Sequence, residues 1–141
     1  MLRAPDPAVV IRAARAARQL GVRVAVDLAS ASMSETYGAQ AFRVLVGKID
    51  PAVVFGNEGD WDVVGGMSNE LSIDAVVKRG ALWSTFVVDG VQTSLAVVPG
   101  PVVYVTGAGE AVTAGYFVGG PQMAMAAAAR CVSQTGAQPP C

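Results

Sequence analysis

Residues 102–111 read VVYVTGAGEA, an apolar run that passes through Gly-Ala-Gly into a pattern typical of a helix. We interpret residues 102–105 as a short strand and predict a helix from Gly107 to about Val118. The first amides of such a helix have no partner within it and carry the positive end of its dipole, so an anion can bind there. Glycines let a phosphoryl group approach the backbone, and Glu110 adds a carboxylate that can accept a hydroxyl proton.

Two widespread phosphate-binding motifs do not fit this sequence. The dinucleotide fingerprint needs a third glycine where Val112 stands, and an acidic residue near Arg130, where there is none. The Walker A motif fails because Gly47-Lys48 is followed by Ile49 instead of serine or threonine. A glycine turn that merely caps a buried helix therefore stays open as the alternative to a phosphate site.

Apolar periodicity along the rest of the chain predicts alternating helices and strands. Helices are predicted over residues 7–20, 34–49, 57–64 and 121–134, and strands over 22–28, 51–55, 73–78, 83–88 and 91–98. The dipeptide Asp89-Gly90 is a strong signal for a two-residue hairpin. This order predicts one α/β domain over residues 1–141, with a mostly parallel sheet that has an antiparallel hairpin near one edge.

The composition excludes several classes of function. The chain has 141 residues, a formal net charge of −1 and no histidine, so neither Ser-His-Asp catalysis nor a Cys/His zinc site is available. We expect no nucleic-acid partner, because an isoelectric point near 5.2 does not provide the basic surface that such binding needs. Cys131 and Cys141 are predicted to be unpaired thiols, which suits a reducing compartment.

Two long uncharged stretches raise the question of a membrane span. Pro99-Gly100-Pro101 interrupts the first stretch and Gly119-Gly120-Pro121 interrupts the second. Because both interruptions are turn signals, we expect no membrane-spanning segment. The first residues carry charge and lack an apolar signal core, so a cytoplasmic location is expected.

The strand that runs into Thr-Gly-Ala-Gly-acid and a helix of small residues resembles the C-terminal signature of the ribokinase/PfkB carbohydrate kinases. Three other stretches resemble family motifs and occur in the family's order. They are Val26-Asp27-Leu28-Ala29-Ser30 at the end of the central strand, Phe55-Gly56-Asn57-Glu58-Gly59-Asp60 as the Asn-x-x-Glu motif, and Val77-Lys78-Arg79-Gly80-Ala81 as the nucleotide loop. Arg130 and the tail Gly136-Ala137-Gln138-Pro139 resemble the closing helix and tail, so the resemblance covers nearly the whole chain.

The resemblance implies a ribokinase-like three-layer sandwich and the phosphorylation of a sugar hydroxyl, with ATP and Mg²⁺ as cofactors. It implies that Gly107, Ala108 and Gly109 form the anion hole and that Glu110 is the general base. It also implies a set of nucleotide-binding residues, namely Asn57, Lys78, Arg79, Gly80 and Ala81. Asn57 and Asp60 would hold Mg²⁺ indirectly, although Asn57 also suits the N-cap of the next helix.

Several positions depart from the family's pattern. Glu110 stands where the family has aspartate, and its extra methylene moves the carboxylate by about 1.5 Å. A misplacement of about 1 Å in a catalytic group can lower the rate on the order of 10²-fold. Tyr104 replaces the first aspartate of the signature. Trp83 stands where the nucleotide loop has its second glycine, so we expect its ring to crowd the phosphates. These departures predict weak or no activity.

The family's N-terminal half supplies most sugar contacts and has no counterpart in this sequence. We therefore expect a C-terminal, ATP-side half in which sugar binding is doubtful. The predicted strand 22–28 or its neighbour would then lie at an open sheet edge, next to exposed apolar surface. The expected partners are ATP and either a second copy of the chain or a separate N-terminal half. The alternative function is a non-catalytic interaction module that pairs with another chain through that edge.

Overall fold

The computed structural model describes residues 6–28, 38–66 and 73–135. Its helices are α1 (Pro7–Gln19), α2 (Ala39–Ile49), α3 (Glu58–Val63) and α4 (Ala108–Val132), and its strands are β1 (Ala25–Asp27), β2 (Val53–Asn57), β3 (Asp74–Arg79), β4 (Trp83–Val88) and β5 (Val91–Ala96). Some predictions fall outside the described residues, namely the helix start at Ser34, the motif residues Ala29 and Ser30, the tail Gly136-Ala137-Gln138-Pro139, and Cys141.

The strands of the described residues form one five-stranded sheet in the order β1-β2-β3-β4-β5. The pair β1 and β2 is parallel, with Ala25 opposite Val53 and Asp27 opposite Phe55. The strands β3, β4 and β5 are neighbours joined by short turns, and such turns connect antiparallel strands. The α/β class with a mixed sheet is therefore confirmed. Within the described residues β1 has β2 as its single neighbour, so it forms a sheet edge, as predicted.

The chain divides into two compact units. The first unit comprises Met1–Val77 and Val87–Val91, and the second comprises Lys78–Phe86 and Gln92–Cys141.

The first unit has its core around β2 and α3. Val53, Val54 and Phe55 of β2 are buried, as is Trp61 of α3. The Trp61 Nε1–H donates a hydrogen bond to the Val76 carbonyl at 3.3 Å, which satisfies the indole's polar atom. The apolar cluster of this unit contains Leu28, Val46, Val54, Trp61, Val64, Ala75 and Val77. These residues belong to α2, β2, α3 and β3 or directly follow β1 and α3. The cluster therefore holds these five predicted elements together.

The longest element of the second unit is the helix α4. This helix is kinked, because Gly119 (φ −155°, ψ 25°) and Gly120 (φ 73°, ψ −160°) have non-helical angles and precede Pro121. The sequence predicts two helices separated at these three residues, and the kink confirms it. On the first half of α4, the Tyr116 ring stacks on the fully buried Phe86 of β4, with ring centroids 6.1 Å apart.

The predicted strand over residues 102–105 is wrong. The segment has no strand structure, and Val102, Val103 and Val105 are exposed. The reason lies in the backbone partners, because the amides of Val103 and Tyr104 both donate to the Val132 carbonyl at the end of α4, at 2.7 and 3.2 Å. Alternating valines indicate only that the chain prefers an extended conformation. A β-strand also needs backbone hydrogen bonds to a neighbouring strand. No helix within the described residues is long and apolar enough to cross a membrane.

Candidate functional site

The amino end of α4 has the form of an anion-binding helix start. Gly107 caps it with φ +88°, a left-handed conformation that favours glycine, and it provides no side-chain cap. The Ala108 amide donates to the Val105 carbonyl at 3.2 Å, and the Ala111 amide donates to the Gly107 carbonyl at 2.9 Å. The amides of Gly109 and Glu110 have no acceptor among the described residues. These two amides can therefore donate to a bound anion.

The loop before this helix start is anchored to the opposite end of the same helix. In addition to the two hydrogen bonds to the Val132 carbonyl, the Cys131 thiol lies 3.8 Å from the Thr106 carbonyl oxygen. Cys131 is buried and unpaired, as the sequence predicts. The two ends of α4 together therefore fix the position of Gly107, which immediately follows Thr106.

A lysine lies next to the helix start. A β-carbon built on Gly109 would stand 3.4 Å from Lys78 Nζ and 3.9 Å from Lys78 Cδ. The ammonium group of Lys78, which belongs to β3, therefore lies directly against the first turn of α4. The lysine charge and the helix dipole both favour a negative group at this place.

An apolar cavity of about 310 Å³ adjoins these groups. Its lining residues come from the β3–β4 hairpin, the loop before α4 and both halves of α4: Lys78, Gly80, Ala81, Ser84, Val97, Val102, Val105, Ala108, Gly109, Val112, Met125, Ala128, Ala129 and Val132. Its size is at the lower end of the range for small-ligand pockets, which begins at about 300 Å³. The second unit thus combines an apolar pocket with a positive region at its wall.

The cavity contains some of the predicted site residues and not others. Lys78, Gly80, Ala81, Ala108 and Gly109 line it together. Gly107 contributes the helix cap without lining the cavity, and Glu110 is exposed in the first turn of α4.

Arg79 and Trp83 face each other outside this cavity. The Arg79 guanidinium lies 5.9 Å from the centre of the Trp83 ring, a distance suited to a cation–π contact. Neither residue lines the cavity. Trp83 therefore does not narrow the cavity itself, and the expectation that its ring crowds the phosphates stays a prediction.

Asn57 and Asp60 form a helix cap in the first unit. The Asn57 side chain accepts from the Asp60 amide at 2.9 Å, and the Asp60 carboxylate accepts from the Asn57 amide at 3.0 Å. This capping box starts α3 and accounts for the burial of Asp60. Among the described residues no group of three or more acidic or cysteine side chains could hold a metal ion. A Mg²⁺ role for the pair therefore remains a prediction.

We expect Asn57→Ala to lower the free energy of unfolding by about 1 kcal/mol, because it removes the cap of α3. Asn57→Ser keeps a capping oxygen and should cost only a few tenths of a kcal/mol. Urea denaturation of both variants without Mg²⁺ measures the difference. Equal losses in the two variants would contradict a capping role.

Sequence reasoning missed the residues that the second half of α4 contributes to the cavity wall. Met125, Ala128, Ala129 and Val132 have the spacing of one helix face, and this pattern was available in the sequence. It could not show that this face borders a cavity. Ser84 gave no signal, because a single serine in a strand has no distinctive pattern.

Solved structures similar to this chain are ribokinase-type kinases. A nucleoside kinase from Methanocaldococcus jannaschii, described as an archaeal member of the ribokinase family, matches with a TM-score of 0.75 and 17% identity, over 94% of this chain and 48% of that one. Adenosine kinase from Schistosoma mansoni matches with a TM-score of 0.75 and 14% identity, over 96% and 49%. A protein described as ribokinase II from E. coli, solved with ATP and Mg²⁺, matches with a TM-score of 0.70 and 20% identity, over 91% and 48%.

These similarities define the fold of the chain. Neither a protein-family profile nor a curated protein sequence matches it. The chain spans about half the length of the solved structures that it resembles. The chain therefore has the ribokinase-like α/β fold, and the predicted resemblance to ribokinase-type kinases is confirmed at the level of fold.

Proposed function

We propose that the second unit is the nucleotide-binding part of a ribokinase-type carbohydrate kinase. The observation that carries this proposal is the apolar cavity whose wall contains both Lys78 and the amino end of α4. An apolar pocket suits the nucleoside of ATP, and the positive wall suits its phosphates. The fold and the ATP and Mg²⁺ bound by the similar E. coli protein support the same assignment.

The residues of the site fit a nucleotide in charge and in shape. Lys78 Nζ and the amides of Gly109 and Glu110 supply donors for phosphate oxygens, and no acidic side chain of the described residues lines the cavity. Gly80 and Ala81 add little bulk to the β3–β4 turn, which leaves room for a planar base. Mg²⁺ commonly takes most of its ligands from phosphates and water, so it needs few protein carboxylates. A Mg²⁺ role for Asn57 and Asp60, which belong to the first unit, stays a separate prediction.

The proposed reaction is the family's phosphorylation of a sugar hydroxyl. ATP supplies the phosphoryl group that is transferred. The Gly109 and Glu110 amides stabilise negative charge on that group, and Lys78 holds the nucleotide in place. Glu110 accepts the hydroxyl proton on its carboxylate, which is exposed and has no hydrogen-bond partner among the described residues. Because the carboxylate is one methylene further out than in the family, we expect weak or no activity from this chain alone.

Binding of Mg-ATP tests this proposal directly. A ligand at one hundred times its Kd stabilises a folded protein by about 2.7 kcal/mol, which raises the melting temperature by several degrees. We expect that shift for the wild type and a much smaller one for Lys78→Met. Lys48→Met, which removes an exposed charge from α2, is the matched control and should keep the full shift. No shift in the wild type at millimolar Mg-ATP would contradict the proposal.

A second candidate function is a half-protein or interaction module that pairs with another chain. It is favoured by the edge position of β1 and by the exposed apolar residues before it, Leu20 and Val22. An unpaired strand next to apolar surface is a common site of strand addition. Sedimentation should then show self-association of the chain, or a complex with a separate N-terminal half. A monodisperse monomer that melts cooperatively would count against this candidate.

A further inference from the structure

One polar side chain on the cavity wall has no hydrogen-bond partner among the residues that the structure describes. Ser84 of β4 has 4% of its surface exposed and lines the cavity. Apart from Lys78 it is the only polar side chain among the lining residues that the structure describes. Its hydroxyl makes no hydrogen bond to any of the residues that the structure describes. The hydroxyl is not one of the side-chain atoms that are fully enclosed and unsatisfied, so water or a ligand in the cavity can reach it.

The neighbouring residue on the same strand shows the usual arrangement. Thr85 is also buried, but its hydroxyl lies 3.1 Å from the Ser94 hydroxyl on β5. Successive side chains of a strand point to opposite faces, so Thr85 faces away from the cavity. Two adjacent buried hydroxyls therefore differ in one respect. The one that faces away from the cavity has a partner, whereas the one in the cavity has none within the described part of the chain.

We propose that the Ser84 hydroxyl is the group by which the cavity recognises its ligand, through a hydrogen bond to a polar atom of the nucleoside. This inference rests on the proposed nucleotide-binding function and adds a specificity-determining residue to it. A serine hydroxyl both donates and accepts, so it can pair with a ring nitrogen, an amino group or a carbonyl oxygen of a base. It selects against a ligand that presents only carbon at that place.

The Ser84 hydroxyl distinguishes ligands by a polar atom, which the apolar remainder of the wall cannot do. Apolar contacts distinguish ligands that differ by one methylene only by about 10- to 200-fold. A site that hydrogen-bonds its ligand rejects the analogue that lacks the polar atom more strongly, since the site's own group is then left unpaired. With Lys78 and the α4 amides on the phosphates, Ser84 is the one polar side chain among residues 6–28, 38–66 and 73–135 left in this cavity to contact the nucleoside.

Calorimetric titration with ADP and with pyrophosphate tests the inference. Pyrophosphate reaches only the phosphate region, so the ratio of the two affinities reports the nucleoside contacts. We expect Ser84→Ala to weaken ADP roughly three- to tenfold, the equivalent of one neutral hydrogen bond, and to leave pyrophosphate unchanged. Thr85→Val removes the neighbouring hydroxyl on the opposite face and should change neither affinity.

Thermal unfolding without ligand provides a second, independent readout. Because the Ser84 hydroxyl is unpaired, Ser84→Ala should melt at the same temperature as the wild type or higher, whereas Thr85→Val should melt lower. Weaker ADP binding combined with undiminished stability is a result that a purely structural serine does not give.

The other outcomes each overturn a defined statement. If the wild type binds neither ADP nor pyrophosphate, the proposed function fails and this inference fails with it. If the wild type binds ADP but Ser84→Ala binds it equally well, only the inference fails. A Ser84→Ala variant that weakens both ligands alike, or that melts lower than the wild type without ligand, would equally overturn the role of the hydroxyl.

Discussion

Gly109→Asp is expected to lower the affinity for ADP by about 100-fold while the protein remains folded. The substitution places a carboxylate where the phosphates are proposed to bind, beside the Gly109 and Glu110 amides. It also pairs with Lys78, whose Nζ lies 3.4 Å from the position of the new β-carbon. A hydrogen bond to a charged group is worth about 1.5–3 kcal/mol, so its loss accounts for one to two orders of magnitude in affinity.

The fold should tolerate this aspartate for two reasons. The new β-carbon would have only ordinary van der Waals contacts, both of them with the flexible side chain of Lys78. Position 109 is in the first turn of α4, where a negative charge is stabilising by about 0.3–1 kcal/mol and glycine is a poor helix former. We therefore expect the melting temperature of Gly109→Asp without ligand to equal or exceed that of the wild type.

Gly109→Asn is the matched control, because asparagine has the same shape and no charge. It should weaken ADP binding much less than aspartate does. The ratio of the ADP affinities of the two variants isolates the electrostatic contribution to binding. Titration calorimetry at low and at physiological salt measures both. Equal affinities for the two variants would mean that no phosphate binds at this helix start, and the proposed site would then be wrong.

Local sequence patterns predicted the elements that depend on neighbouring residues. Asp6 and Pro7 define the start of α1, and the Asp6 carboxylate accepts from the Ala8 amide as an N-cap does. Asp89-Gly90 forms the turn between β4 and β5, with φ of 50° and 76°. Each feature is determined by a few consecutive residues, so it could be predicted without knowing the fold.

The features that were missed depend on residues far apart in the sequence. Residues 102–105 have a strand-like pattern, but the Val132 carbonyl takes the backbone hydrogen bonds that a strand would have needed. Ser84 and Met125 share one cavity although they are distant in the chain. Which helix face borders an open space depends on how the second unit packs, and periodicity shows only that a face is apolar. The glycine turn was predictable, whereas the cavity beside it was not.

Gly115→Ala should destabilise the protein by about 1 kcal/mol, although alanine is the better helix former. A β-carbon on Gly115 would stand 2.6 Å from the Met123 carbonyl oxygen, 2.8 Å from the Ala124 α-carbon and 2.9 Å from the Ala127 β-carbon. Two of these atoms belong to the backbone and cannot rotate away. Overpacking of this kind costs about 1–3 kcal/mol, which exceeds the gain of about 1 kcal/mol in helix propensity.

The comparison with Gly47→Ala separates these two effects. Gly47 is in α2 and has nothing within 4 Å of its missing β-carbon, so only the propensity term applies. That variant should gain about 0.5–1 kcal/mol in free energy of unfolding. Urea denaturation should therefore show that the two alanine substitutions change the stability in opposite directions.

Gly115→Ala should also affect the cavity, because each half of α4 contributes part of its lining, with Val112 on one half and Met125 on the other. Forcing the halves apart should weaken ADP binding as well, and a Gly115→Ala variant as stable as the wild type would contradict the close packing at the kink.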